Sequence, residues 1–197
     1  IVEEQATKSR VIVVVSALGG VTDSLLQITQ LAAHGNTAYV STLNAIVEHH
    51  HQMVADLVPI EKQALLINQL NALFAELQSI LHGVCLIQDL TPKISDAIVS
   101  YGERLSSLIV ADVIEGATHF DSRKVIKTER QNAKHLVDFE LTNQLINEAF
   151  VNINHPIVMG GFIASDKATG VSTNLGRGGS DYTASIIAAA LSATALE

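Results

Sequence analysis

Cysteine, basic residues and long apolar runs are all scarce in this 197-residue chain. Cys85 is the only cysteine, so no disulfide can form within the chain, and we expect a reducing, cytoplasmic location. Lys and Arg together number 12 against 20 Asp and Glu, which gives a net charge of −8. This charge argues against nucleic acid or an anionic membrane as a partner, because both need a basic face. We also expect no membrane span and no signal peptide, since no apolar run approaches roughly 20 residues.

Several common catalytic motifs are absent as well. No Gly-Lys-Ser/Thr follows a glycine cluster, which excludes a Walker A loop. No strand that ends in an acidic residue follows Gly176–Gly179, so the dinucleotide-binding fingerprint is incomplete. Neither a nucleophile elbow nor a His-Glu-x-x-His motif is present. The run His49–His51 lies in the middle of a predicted helix without partner spacing, so we predict no metal site formed by protein side chains.

The apolar pattern predicts an α/β fold. Residues 11–15 form a β-branched run typical of a strand buried on both faces, and a glycine loop and a helix follow it. Further helices are predicted at residues 43–57, 66–83, 92–113 and 139–152, and at the end of the chain. Further strands are predicted at residues 118–120, 125–127 and 157–163, the last broken by Gly160 and Gly161. The predicted architecture is an open, mainly parallel sheet flanked by helices, with a helical insertion.

Glycine clusters mark a candidate ligand site. Seven of the 12 glycines fall at 19–20, 160–161 and 176–179, and two of these clusters lie between a predicted strand and helix, where open α/β sheets bind ligands. In the last cluster, Arg177 stands among glycines just before an Ala-rich helix. Backbone N–H groups at a helix start favour an anion, and a guanidinium suits a carboxylate or a phosphate. The segment predicts a place where a small anionic substrate meets a phosphate.

Glu103 has two possible interpretations. It precedes Arg104 on a mostly apolar helix, where the pair could form a surface ion pair on a solvated face. The small polar neighbours Ser100, Ser106 and Ser107 instead suggest that Glu103 projects into the crevice and receives an ammonium group. Phosphoryl transfer needs positioned substrates and cations but no protein nucleophile, so this set of residues fits it better than hydrolysis.

Three motifs together resemble the aspartokinases of the amino-acid kinase family. They are residues 13–23 (VVVSALGGVTD), residues 100–107 (SYGERLSS), and residues 160–162 with 173–183 (GGF and TNLGRGGSDYT). The resemblance covers essentially the whole chain and is close to the kinase portion of bifunctional aspartokinase–homoserine dehydrogenases. It implies ATP- and Mg²⁺-dependent phosphorylation of the side-chain carboxylate of L-aspartate to 4-phospho-L-aspartate. That reaction begins lysine, threonine and methionine biosynthesis.

The resemblance also implies roles for individual residues. The family's arginine that grips a substrate carboxylate maps to Arg177, and its glutamate that holds the substrate ammonium maps to Glu103. Ser180 and Asp181 map to catalytic positions, and Asp181 is expected to organise catalytic lysines. The remaining substrate-binding positions are Ser16, Ala17, Thr22 and again Ser180, and the phosphate- or nucleotide-binding positions are Gly19, Gly20, Gly178 and Gly179.

Some parts of the family pattern are missing. The Lys-Phe-Gly-Gly-Thr-Ser segment that supplies a catalytic lysine does not occur, nor does the Thr-Asp-Val-Asp-Gly-like segment, an ACT-type regulatory domain or a dehydrogenase domain. The resemblance therefore implies that residues 1–197 are an internal piece of a catalytic domain, truncated at both ends and inactive alone. Because the strand of the missing Lys-Phe-Gly-Gly-Thr-Ser segment would normally lie within the sheet, we expect its absence to expose sheet edges and to favour homo-oligomers. Two alternatives stay open: a non-catalytic amino-acid-binding module, and a kinase for another acidic amino acid such as glutamate or acetylglutamate.

Overall fold

The computed structural model describes residues 1–131 and 134–197, and it has the predicted α/β architecture. The strands are β1 (Ile12–Val15), β2 (Thr118–His119), β3 (Lys127–Gln131), β4 (Lys134–Val137), β5 (Ile157–Gly160), β6 (Ile163–Asp166) and β7 (Ser172–Asn174). The helices are α1 (Val2–Ala6), α2 (Val21–Ala33), α3 (Tyr39–Leu57), α4 (Ile60–Ile87), α5 (Pro92–Val99), α6 (Tyr101–Val113), α7 (Phe139–Phe150) and α8 (Gly179–Ala190).

The strands form two sheets that meet at a glycine pair. One sheet has the order β1-β5-β2 and is entirely parallel, and the other has the order β4-β3-β6-β7 and is mixed. Three of the five strand pairings are parallel, which confirms the prediction of a mainly parallel sheet. Strand β5 leads into β6 through Gly161, whose N–H still donates to the carbonyl of Val15 at 2.8 Å.

The prediction that residues 11–15 form a strand buried on both faces is wrong about the burial of that strand. The residues of β1 are only half-buried, because among the described residues β1 pairs with β5 alone. Its β-branched residues pair in register with β5, from Ile12 opposite Ile157 to Val15 opposite Gly160. On the other side, β1 lines an open groove of about 540 Å³ together with α1, α8 and the last residues of the chain. The strand therefore presents a free edge next to apolar surface.

The helical insertion consists mainly of α3 and α4, which pack with α2 and α6 around one hydrophobic core. Helix α4, at 28 residues, is long and apolar enough to cross a membrane by length and composition, which the sequence pattern did not suggest. Its buried stripe (Leu66, Leu70, Phe74, Leu77, Leu81 and Val84) packs into that core. The helix continues past the predicted end at Gly83 and stops where Gln88 adopts a left-handed φ of 54°.

Two further boundaries differ from the prediction. The expected single helix at residues 92–113 is divided at Ser100 into α5 and α6, although Thr91 caps its start as predicted by accepting from the N–H of Ile94. Residues 122–124 form a 3₁₀ turn instead of leading directly into a strand, because the side chain of Asp121 accepts from the N–H of Arg123. Strand β3 consequently starts later than expected.

Candidate active site

The three sequence motifs converge at the carboxyl ends of β1 and β5. The loop after β1 contacts α6 on one side, where the N–H of Ala17 donates to the carboxylate of Glu103 at 3.2 Å. It contacts the start of α8 on the other side, where the hydroxyls of Ser16 and Ser180 are 2.8 Å apart. These two contacts join residues that are separated by 86 and by 164 positions in the chain. This end of parallel strands is where open α/β sheets hold their ligands.

Close packing explains the glycine pair between β5 and β6. A Cβ on Gly160 would lie 2.9 Å from the Cβ of Glu103, and a Cβ on Gly161 would lie 2.6 Å from the Cα of Ser180. Gly179 is similarly restricted, because a Cβ there would approach the ring of Phe162 to 2.7 Å. These glycines allow α6 and α8 to press against the end of β5, which brings Glu103 and Ser180 to the same place.

The other glycines of the site face open space. A Cβ on Gly19, Gly20 or Gly178 would meet no atom of residues 1–131 or 134–197 within 4 Å, so their backbones are accessible to a ligand. Gly20 and Gly178 have left-handed φ values of 77° and 72°, which glycine adopts without the strain of a side chain. Gly178 immediately precedes α8, and no side chain of the described residues caps that helix start. Since the first N–H groups of a helix lack partners within it, this start suits an oxyanion.

Glu103 is buried, which overturns the interpretation of a solvated face. Its side chain is only 4% exposed, and Arg104 pairs with Glu76 at 3.3 Å rather than with Glu103. One carboxylate oxygen accepts from Ala17, while Oε2 has no hydrogen-bond partner among the described residues. Burial raises the pKa of Glu103 to about 7 despite the backbone hydrogen bond from Ala17. A cation at Oε2 would stabilise the charged form of this carboxyl group.

Three further predicted site residues make fewer contacts with the rest of the site: Arg177, Asp181 and Thr22. Arg177 and Asp181 are exposed on either side of the α8 start, and neither forms an ion pair within the described residues. Thr22 is half-buried in the first turn of α2. The packing thus gathers Ser16, Ala17, Glu103 and Ser180, while Arg177 remains free to receive a ligand.

Sequence reasoning missed the side chains that hold these loops. Asn174 donates to Asp96 at 2.6 Å and accepts from the N–H of Gly176, which ties the arginine loop to α5. The hydroxyl of Ser106 donates to the carbonyl of Ser16 at 2.7 Å. Local pattern could not reveal the contacts of Asn174 with Asp96 and of Ser106 with Ser16, because the fold alone brings those residues together.

Phe162 is a further missed feature. It has a left-handed φ of 63°, which costs roughly 1–2 kcal/mol in a residue with a side chain. Its N–H donates to the hydroxyl of Thr183 at 3.0 Å, and its carbonyl accepts from Leu175 at 2.8 Å. These bonds fix the turn from β5 into β6 against both α8 and the arginine loop.

A second cavity of about 310 Å³ lies beside α6, and its charged side chains are already paired. Arg123 forms an ion pair with Asp121 at 2.6 Å, and Arg104 stacks over the ring of Tyr101 at 4.2 Å. Burial alone would raise the pKa of Asp121, but the hydrogen bonds and charge of Arg123 bring it below its usual value. The cavity is lined by none of Ser16, Glu103, Arg177 or Ser180.

Comparison with known sequences gives a consistent set of relatives. The sequence pattern of the amino acid kinase family matches residues 1–197. The chain is 28% identical over 186 residues to the chloroplastic bifunctional aspartokinase/homoserine dehydrogenase 1 of Arabidopsis thaliana. The aligned region covers 91% of this chain and 20% of that protein. It is 30% identical over 138 residues to lysine-sensitive aspartokinase 3 of Escherichia coli (strain K12), and this aligned region covers 64% of the chain and 30% of that protein.

Solved structures have the same fold. The crystal structure of E. coli aspartokinase III in complex with aspartate and ADP matches with a TM-score of 0.83 and 26% identity, over 98% of this chain and 43% of that one. The complex of the same enzyme with lysine and aspartate matches with a TM-score of 0.82 and 27% identity, over 93% and 41%. The chain thus spans about a fifth of the bifunctional relative and about two fifths of the solved enzyme.

Proposed function

The chain belongs to the amino acid kinase family, and we propose that its protein is an aspartate kinase. The reaction would transfer the γ-phosphoryl group of ATP to the side-chain carboxylate of L-aspartate, and residues 1–197 would form the amino-acid-binding part of the catalytic domain. Relatives that carry aspartokinase in their names, and a solved relative that holds aspartate and ADP, support this proposal. The observation that carries it is the buried carboxylate of Glu103, which has one oxygen without a partner in the described part of the chain.

The proposed substrate position follows from charge. An amino acid has an ammonium group, which Oε2 of Glu103 would receive, and a carboxylate, which the exposed guanidinium of Arg177 would receive. Ser16 precedes Ala17, whose N–H donates to Glu103, and the hydroxyl of Ser16 contacts that of Ser180 at the start of α8. The side-chain carboxylate of the substrate would then reach the start of α8.

Phosphoryl transfer in this site would depend on positioning and electrostatics. The accessible backbones of Gly19, Gly20 and Gly178, with the uncapped start of α8 at Gly179, suit the oxygens of a phosphate. The substrate carboxylate is itself the nucleophile, so the protein needs to hold it in line with the phosphoryl group. Asp181 and Ser180 lie in the first turn of α8, where they would orient the reacting groups.

ATP and Mg²⁺ would enter this site together as a complex. The described residues contain no group of three or more His, Cys, Asp or Glu side chains that could hold a metal ion by themselves. Mg²⁺ is commonly bound through one or two carboxylates plus substrate phosphates, so we propose that it arrives with the nucleotide. When bound, it would neutralise charge on the phosphates. Cytoplasmic location and homo-oligomer formation also remain proposals.

The test uses the full-length protein with ATP, Mg²⁺ and one amino acid at a time. We expect ADP release that depends on L-aspartate, together with an acyl phosphate that hydroxylamine traps as a hydroxamate. Faster turnover with glutamate or acetylglutamate would instead identify a kinase for another acidic amino acid. Binding of aspartate with neither ADP release nor any effect of nucleotide on affinity would identify a non-catalytic binding module.

A further inference from the structure

The loop after β1 rests directly on α6. Gly102, in the first turn of α6, leaves no room for a side chain, since a Cβ there would lie 2.7 Å from the Cβ of Ala17. The next residue on the helix, Glu103, accepts from the N–H of Ala17 at 3.2 Å. One turn later, the hydroxyl of Ser106 donates to the carbonyl of Ser16 at 2.7 Å. The loop is therefore held at three points along one face of one helix.

Two of these contacts belong to a single peptide group. The carbonyl of Ser16 and the N–H of Ala17 are the two polar ends of the same planar unit, and in a trans peptide they point in opposite directions. Glu103 and Ser106 are three residues apart, so they lie on the same face of α6. The helix thus holds this peptide from both ends, with one acceptor and one donor.

We propose that Ser106 is a positioning residue for the substrate site, acting through the Ser16–Ala17 peptide. The inference rests on the proposed function. If the Ser106 hydroxyl is removed, the Ser16 carbonyl loses its partner and the peptide can rotate. Rotation would take the Ala17 N–H away from Glu103 and move the Ser16 hydroxyl relative to Ser180. Both effects would disturb the substrate ammonium site while leaving Glu103 in the chain.

The loop needs such a restraint because its other end is open. Gly19 and Gly20 face open space, and glycine is the residue with the most backbone freedom. By contrast, Ser106 is buried, with only 1% of its surface exposed. A buried hydroxyl therefore restrains an exposed loop that contains two glycines.

Ser107 provides a matched control. It is equally buried, it lies on the same helix, and its hydroxyl also approaches the carbonyl three residues before it at 3.3 Å. Its other partner is Nε2 of His119 at 3.0 Å, beside the second cavity and away from the loop. Ser106→Ala and Ser107→Ala remove the same atom from similar surroundings, so a general loss of packing would affect both variants alike.

The experiment measures steady-state kinetics and amide hydrogen exchange in the full-length protein. We expect Ser106→Ala to raise KM for aspartate by up to about tenfold, because ordering the loosened loop on binding would cost at most about the free energy of the lost hydrogen bond. The variant should also speed hydrogen exchange at the Ala17 amide. Ser107→Ala should change both by less than about twofold. Ser106→Cys, which fills the position of the hydroxyl with a larger thiol that donates only weakly, should resemble Ser106→Ala.

Equal effects of Ser106→Ala and Ser107→Ala on KM would overturn the inference, as would unchanged exchange at Ala17. A wild-type protein without aspartate-dependent turnover would instead refute the proposed function. In that case the exchange rate at Ala17 would still show whether Ser106 holds the loop.

Discussion

The buried carboxyl group of Glu103 should make the stability of this chain depend on pH. Burial raises its pKa from 4.5 to about 7, so the folded chain binds this proton more tightly than the unfolded chain. Its contribution to stability is fully present below pH 4.5 and is lost as the pH rises through about 7. Above that pH, the folded chain bears the full cost of an ionised carboxylate in a buried position.

The magnitude follows from the size of the shift. Integrating the linkage relation between pH 5 and pH 8 gives a loss of about 2.5 kcal/mol in the free energy of unfolding. Glu103→Gln removes this titration. The buried amide brings its own cost, but that cost does not change with pH. The difference in stability between variant and wild type should therefore shift by about 2.5 kcal/mol in favour of the variant from pH 5 to pH 8.

The assay is urea unfolding followed by circular dichroism at pH 5, 6, 7 and 8. Glu48→Gln serves as the control, because it makes the same chemical change at an exposed position on α3. A Glu103→Gln difference that stays constant within about 0.5 kcal/mol across this range would refute the reasoning. It would mean that water or a neighbouring group already compensates the charge of Glu103.

Other predictions address the ligand, the packing and the free strand edge. Arg177→Gln should weaken aspartate binding by at least about tenfold in calorimetry, with little change in melting temperature because Arg177 is exposed; unchanged affinity would exclude it as the carboxylate partner. Gly161→Ala should destabilise the fold by roughly 1–3 kcal/mol because its Cβ would press on Ser180, whereas Gly83→Ala, in open space on α4, should stabilise it by up to about 1 kcal/mol in the same urea assay. The 197-residue chain alone should show at most trace turnover with ATP, Mg²⁺ and aspartate. It lacks the Lys-Phe-Gly-Gly-Thr-Ser segment with the family's catalytic lysine, and electrostatic stabilisation is usually the largest catalytic term. A rate equal to that of the full-length protein would contradict this prediction. Within the described residues β1 has a free edge beside an apolar groove, so the chain alone should self-associate increasingly as its concentration rises in light scattering; a monodisperse monomer would contradict this expectation.

Much of the site was visible in the sequence because its chemistry is local. The uncapped, glycine-lined start of α8 follows from residues 176–181, and the open backbone at Gly19 and Gly20 follows from the strand-to-loop pattern before α2. These features depend on backbone freedom and on neighbours a few residues away, which a sequence displays directly.

The contacts that turn these pieces into one site could not be read in this way. Sequence alone left Glu103 between an exposed ion pair and a crevice residue, and only the packing of Gly160 against α6 decides that it is buried. The partners of Ser106 and Asn174 lie 90 and 78 positions away, so no local pattern indicates them.

The sequence by itself determined the α/β class, the loops that can approach an anion, and the residue types suited to a zwitterionic substrate. Backbone freedom, charge and periodicity are properties of the residues themselves, and they persist in any conformation. The tertiary structure decided three features of the described residues: Glu103 keeps one oxygen without a partner, α6 holds the Ser16–Ala17 peptide from both ends, and β1 keeps a free edge. Burial and long-range hydrogen bonds arise only when distant segments pack together.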